Sequence, residues 1–176
     1  MAGVNLIDCS AARHGAAILA ILNDAILNST AIYDYAPRAP ESMPPWFAAK
    51  VQGGFPVIGL ESDAGELVGF GSYGVFRAWA AYKYSVEHSL YVHPAHRGRG
   101  HGERLLRSLI DRARAQQLHL MVGGLDAGNA ASIALHRKLG FTHAGTIAQA
   151  GFKFGRWLDL AFYQLTLETP FVPVDG

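Results

Sequence analysis

From Arg97 to Gly102 the chain reads RGRGHG, with a strand pattern before it and a helical pattern after it. Gly98, Gly100 and Gly102 alternate there with Arg97, Arg99 and His101. The first turn of a helix carries backbone N–H groups with no intrahelical partner, together with a partial positive charge. Glycines let that backbone approach a ligand because no Cβ stands in the way. The combination makes an anion site, suited above all to a phosphate or diphosphate. Arg97 and Arg99 add positive charge at its rim. A P-loop is excluded, since it needs Gly-Lys-Ser/Thr where this chain has Gly-His-Gly. A dinucleotide fingerprint needs Gly-x-Gly-x-x-Gly within a βαβ unit; the spacing here is Gly-x-Gly-x-Gly, and no such unit precedes it. A plain glycine-rich turn is the competing reading of the loop taken alone.

Eight histidines raise the question of a metal. His93, His96 and His101 lie close in sequence, but they straddle a turn and lack a carboxylate or thiolate partner. Zinc takes three or four converging ligands, so no metal is expected. The aromatics Trp46, Phe47, Trp79, Tyr82 and Tyr84 read as core or pocket-wall residues. They lack the interleaved basic pattern of a single-strand nucleic-acid platform.

The elements that must position these groups follow from periodicity and turn chemistry. Residues 4–8 read as a strand, Ser10 as an N-cap, and Ile18, Leu19, Leu22, Ile26 and Leu27 as the apolar stripe of a helix. A proline-rich loop leads to a short helix over 45–53. Residues 56–62 and 67–76 read as strands joined by a turn at Asp63-Ala64-Gly65. Residues 84–93 form a strand, and the glycine loop opens a helix over 101–116. A strand over 118–126 and a helix over 129–140, closed by Gly140, precede strands near 143–149 and 157–168. The order β-α-α-β-β-β-α-β-α-β-β predicts one α/β domain over residues 1–176. Its central sheet is mixed, antiparallel early and parallel around the glycine loop, with helices flanking it.

Composition agrees with a folded chain that has its own core. Of 176 residues, 50% are apolar and 16% charged. The 15 basic and 14 acidic residues leave a formal charge of +1, which argues against a nucleic-acid partner. The single cysteine, Cys9, excludes an internal disulfide framework and fits a reducing compartment. The N-terminus lacks the pattern of a signal peptide, and no run of about 20 apolar residues marks a membrane span. A cytoplasmic protein with no membrane partner is expected.

The pattern Arg97-x-x-Gly100-x-Gly102, between a strand and a helix, resembles the pyrophosphate loop of the GNAT superfamily of acyl-CoA-dependent N-acyltransferases. A second motif, NAASIALHRKLGF, places His136 seven residues after Asn129 and resembles the late helix of that superfamily. Three longer stretches, SVEHSLYVHPAHRGRGHG, HLMVGGLDAGNAASIALHRKLGF and GFKFGRWLDLAFYQLTL, are similar to the branch containing phosphinothricin N-acetyltransferase. Within it they resemble the bacterial enzymes that acetylate L-methionine sulfoximine and methionine sulfone. The resemblance covers nearly the whole chain.

It implies a GNAT-like fold, acetyl-CoA as cosubstrate, no metal, and transfer of an acetyl group to a small amino acid's amine. Arg97, Gly98, Arg99, Gly100, His101 and Gly102 would hold the diphosphate. Asn129, with Ser132, would contact the pantetheine arm. Main-chain N–H groups at Tyr91 or Val92 would stabilise the oxyanion. Glu87, in VEHS, would take the amine proton directly or through water. A surface carboxylate paired with a lysine is the plainer alternative. His136 would protonate the departing thiolate, against the alternative of a histidine that only packs or hydrogen-bonds. Arg77 would clamp the substrate carboxylate, with Tyr33, Tyr82 and Lys153, and with Arg156 near Lys153, lining the substrate side, the last two from a neighbouring subunit. A homodimer is implied. Two other functions compete with amino-acid acetylation: acetylation of a peptide or protein N-terminus, and non-catalytic binding of an acyl-CoA. A dinucleotide-dependent oxidoreductase is a distant third.

Overall fold

The computed structural model describes residues 3–175. Its strands are β1 (Val4–Asp8), β2 (Val57–Ser62), β3 (Leu67–Val75), β4 (Ser85–Val92), β5 (Leu120–Asp126), β6 (Thr142–Lys153) and β7 (Arg156–Thr166). Its α-helices are α1 (Ala11–Asn28), α2 (Met43–Gln52), α3 (His101–Ala115) and α4 (Ala130–Lys138). Hydrogen-bonded neighbours follow the order β1-β2-β3-β4-β5-β7-β6. β1–β2 and β2–β3 are antiparallel, β4–β5 is parallel, and β5–β7 and β6–β7 are antiparallel. The element order and the mixed sheet are those the sequence predicts.

The chain divides into two compact units, residues 1–73 with 89–109 and residues 74–88 with 110–176. β4 and α3 each contribute residues to both.

In the first unit, Ser10 caps α1 by accepting a hydrogen bond from the Arg13 N–H at 3.4 Å. The face of α1 carrying Ile18, Ile21, Leu22, Ala25 and Ile26 is buried, as a 3.6-residue period requires. Those side chains share a core with Met43 and Phe47 of α2 and with Val57, Leu67 and Phe70 of the sheet. α2 begins two residues earlier than expected. Pro44 and Pro45 fall in its first turn, where a missing N–H costs nothing. The β2–β3 turn closes as predicted, with the Gly65 N–H donating to the Ser62 carbonyl at 2.8 Å and Gly65 at φ +80°.

In the second unit, Gly140 ends α4 at φ +88°. Met121, Val122, Phe141, Leu158, Ala161 and Tyr163 are buried there. β6 runs four residues past its predicted end, and β7 starts one residue before its predicted start. Lys153 pairs with Arg156 across a two-residue turn, with Phe154 and Gly155 at φ +53° and +73°. Positive φ at both turn residues matches the twist of a hairpin. The sequence signal for that turn is Gly155 alone, because phenylalanine rarely takes this conformation.

Candidate active site

The glycine loop belongs to the first unit. Gly98 and Gly100 have φ +74° and +79°, and among the described residues no atom beyond the adjoining ones lies within 4 Å of where a Cβ would stand on either. They are glycines for backbone conformation and leave open space in front of the helix. Arg97 is drawn back from that space: its Nε donates to the Val92 carbonyl at 3.2 Å, and its terminal nitrogen lies 3.4 Å from Asp24 Oδ2. His101, the first residue of α3, is buried. Burial first, then the charges of Arg104, His96 and Arg99, push its pKa down. Upstream, Tyr91 packs on Phe70 with ring centroids 5.6 Å apart. A Cβ on Gly69 would come within 2.8 Å of the Tyr91 carbonyl and 3.2 Å of Val92 Cα. Gly69 thus lets β3 pass close to the main chain at Tyr91 and Val92.

A second group of candidates belongs to the second unit. β4 and β5 pair in parallel, with Glu87 opposite Val122. Side chains alternate faces along a strand, so Glu87 and His88 point to opposite sides. A Cβ on Gly124 would come within 3.1 Å of Glu87 Oε1. One on Gly123 would come within 2.8 Å of His88 Nε2 and 2.9 Å of His136 Nε2. These two glycines therefore make room, one on each face of β5. Glu87 is half-buried, and burial raises its pKa against a smaller lowering by the positive charge of Arg77. A carboxylate poised above its ordinary range can accept a proton nearer neutral pH.

On the other face, His136 is 2% exposed and stacks on His88, with ring centroids 5.0 Å apart. His136 Nδ1 lies 2.7 Å from the Ser132 carbonyl, and its Nε2 lies 3.0 Å from His88 Nε2. A carbonyl can only accept, so Nδ1 of His136 carries the proton. Its Nε2 then accepts from the Nε2–H of His88. Burial lowers the pKa of His136, and burial with the neighbouring ring pushes that of His88 down to about 3. Both rings are neutral at pH 7. His136, read from the sequence as the acid to the thiolate, has both of its nitrogens engaged inside the fold, Nδ1 with the Ser132 carbonyl and Nε2 with His88.

Arg77 is exposed, with its NH1 donating to the Phe76 carbonyl at 2.7 Å and its guanidinium 4.2 Å from the Phe76 ring. Tyr82 packs edge-on against the same ring at 5.8 Å. Asn129 caps α4, its side-chain oxygen accepting from the Ser132 N–H at 3.0 Å. Tyr33 is half-buried in the loop after α1, within the first unit. Lys153 is 3% exposed, with its Nζ 5.0 Å from the Phe154 ring centre, so it is not a solvated surface lysine, whereas Arg156 is exposed.

The pattern of the acetyltransferase (GNAT) family matches residues 23–141. The chain belongs to the GNAT family. A curated relative of this GNAT chain is the L-methionine sulfoximine/L-methionine sulfone acetyltransferase of Pseudomonas paraeruginosa. It is 50% identical over 151 residues, covering 86% of this chain and 88% of the relative. A solved acetyltransferase-type structure from Acinetobacter baylyi ADP1 is 57% identical, with a TM-score of 0.98 over 100% of this chain and 98% of the other. A GNAT superfamily phosphinothricin acetyltransferase from Sinorhizobium meliloti, solved in complex with AcCoA, is 34% identical. Its TM-score is 0.92, over 97% of this chain and 92% of that one.

One sequence expectation about this GNAT chain is corrected by its structure. His93 and His96 do not lack a carboxylate partner: Glu66, from the β2–β3 turn, brings Oε1 to 3.1 Å from His96 Nε2. The contact is made between turns far apart in sequence, so spacing does not reveal it. Sequence reasoning also passes over His88, Gly123 and Gly124. The adjacency of His88 to Glu87 is the available signal for the first; nothing local marks the two glycines.

Proposed function

We propose that this GNAT enzyme transfers the acetyl group of acetyl-CoA to the α-amine of a small free amino acid of the methionine sulfone, methionine sulfoximine or phosphinothricin kind. The observation that carries this reading is Glu87. It is a half-buried carboxylate with its pKa raised by burial, and the cation that acts on it, Arg77, is suited to a carboxylate-bearing substrate. The amine attacks the thioester carbonyl within a ternary complex, and Glu87 takes its proton, directly or through a water. Main-chain N–H groups at Tyr91 or Val92 stabilise the oxyanion. The Arg97–Gly102 loop, with Arg99 and His101 at its edge, holds the diphosphate of the coenzyme. Asn129 and Ser132 face its pantetheine arm. Arg77 binds the amino-acid carboxylate, and Tyr33, Tyr82 and Lys153 shape the acceptor side. His136 serves as a hydrogen-bonded support for His88, and the thiolate leaves without it, since a thiolate is a good leaving group.

We further propose one catalytic domain over 1–176, working as a cytoplasmic homodimer without nucleic-acid or membrane partners. Exposed apolar side chains along β6, β7 and their turn support the dimer: Ile147 at 53%, Phe154 at 56% and Trp157 at 59%. A formal charge of +1 and a lone cysteine support the rest. Among the described residues no helix is long and apolar enough to cross a membrane.

The test is free-thiol release from acetyl-CoA with L-methionine sulfoximine, L-methionine sulfone, phosphinothricin, L-methionine and short peptides. Release with the free amino acids is the expected result. Faster turnover of peptides would make this an N-terminal acetyltransferase. Tight acetyl-CoA binding with silence across the panel would make it a binding module.

A further inference from the structure

We propose that Glu66, His93 and His96 form a binding site for a first-row divalent cation of the zinc type, separate from the acetyl-transfer machinery. One ring nitrogen of each histidine and one carboxylate oxygen of Glu66 all lie within 4.8 Å of one another. Two imidazoles and a carboxylate form a donor set suited to zinc, with a fourth position left to water.

The backbone builds this cluster. Pro94–His96 is a 3₁₀ turn, and in that geometry side chains at i and i+3 eclipse. The spacing His-x-x-His across such a turn sets both imidazoles on one side, with ring centroids 5.6 Å apart. The turn is anchored at each end: the His93 N–H donates to the Val68 carbonyl at 2.8 Å and the His96 N–H to the His93 carbonyl at 2.9 Å. Glu66 is anchored too, its N–H donating to Ser62 Oγ at 3.1 Å and its carbonyl accepting from the Ser62 N–H at 2.9 Å. Only side-chain rotation therefore remains to be ordered. Ligands about 2.1 Å from zinc stand roughly 3.4 Å apart in a tetrahedron. Glu66 and His96 already approach to 3.1 Å, and His93 has to close the remaining gap. Its Nδ1 accepts a long 3.3 Å hydrogen bond from the Ala95 N–H, which a metal–nitrogen bond replaces. The acetyl-transfer reading uses none of these three side chains. A bound cation would tie the β2–β3 turn to the segment that leads into Arg97.

The experiment uses the untagged full chain, stripped with a chelator and dialysed. Zn²⁺ is titrated by calorimetry, and Co²⁺ by its visible absorption as a report of coordination geometry. The expected result is one equivalent of Zn²⁺ bound, a raised thermal midpoint in its presence, and a tetrahedral Co²⁺ spectrum. Glu66→Gln and His96→Asn should each weaken binding by about tenfold or more. His143→Asn, which removes an exposed histidine of β6, should leave the titration unchanged. Binding that survives both Glu66→Gln and His96→Asn would overturn the proposal. So would variants that lose stability equally with and without zinc, because the cluster would then be no more than a His96–Glu66 ion pair.

Discussion

The glycine loop and the β4–β5 pair use glycine for opposite reasons. At Gly98 and Gly100 the backbone takes φ +74° and +79°, and among the described residues open space lies beside each. At Gly123 and Gly124 no positive φ is involved, and the space is crowded by His88, His136 and Glu87. The loop leaves its main chain open, while the strand pair shapes the side chains already packed around it. The same residue type thus marks a conformational requirement in one unit and a steric requirement in the other.

The largest expected effect falls on the strand pair. Glu87→Gln should lower kcat by about 10²–10⁴, the usual contribution of a general base, while calorimetry finds acetyl-CoA affinity unchanged. The same variant should melt at a higher temperature at pH 7. Burial holds the folded pKa of Glu87 above its unfolded value, so its favourable contribution is complete below the unfolded pKa. That contribution is lost as pH rises through the folded one. Above the folded pKa the ionised group is a cost, and glutamine removes it. Equal losses of coenzyme affinity and turnover would instead place Glu87 in binding.

Arg77→Met should raise KM for the amino acid roughly 10–100-fold, the value of a charge-assisted pair. It should also move the acid limb of kcat/KM to higher pH, because the Arg77 charge lowers the Glu87 pKa. An acid limb that moves down, or stays in place, would separate the two residues.

Two alanine substitutions test the comparison directly. Gly123→Ala should cost about 1–3 kcal/mol by overpacking, read by urea unfolding, and asparagine there should be worse. Gly100→Ala should cost about 1–2 kcal/mol for the left-handed conformation and raise KM for acetyl-CoA. Gly100→Asn should recover part of that loss, since asparagine tolerates positive φ. Rescue by asparagine at both positions, or at neither, would break the distinction. The smallest effect is expected at His136: asparagine there should lower kcat by less than about tenfold, well below a positioned acid's usual share, while lowering the unfolding midpoint. A loss as large as that of Glu87→Gln would make His136 the acid.

Much of the fold and of the candidate anion site is legible in the amino-acid sequence. Arg97–Gly102 stands out because a strand, a turn and a helix start are local events, each readable from a few neighbouring residues. The order of the elements follows from periodicity in the same way, and the start of α2 is obscured only where Pro44 and Pro45 occupy its first turn. The Phe154–Gly155 hairpin is harder to read, because Phe154 adopts a conformation its residue type disfavours. The carboxylate beside His96 and the ring beside His136 are not legible at all. Glu66 and His96 are 30 residues apart, and His88 and His136 are 48 apart.

The amino-acid sequence by itself determined the element order, the glycine loop ahead of α3 and the GNAT resemblance, because each rests on local backbone preference and short-range spacing. Only the tertiary structure decided which side chains meet. The β4–β5 pairing put Glu87 beside Gly124 and the two neutral histidines beside Gly123. The packing of the β2–β3 turn against the Pro94–His96 turn brought Glu66 to His96. Those outcomes depend on strand register and on burial, and burial also sets the protonation of Glu87, His88 and His136. These are long-range quantities that no stretch of neighbouring residues encodes.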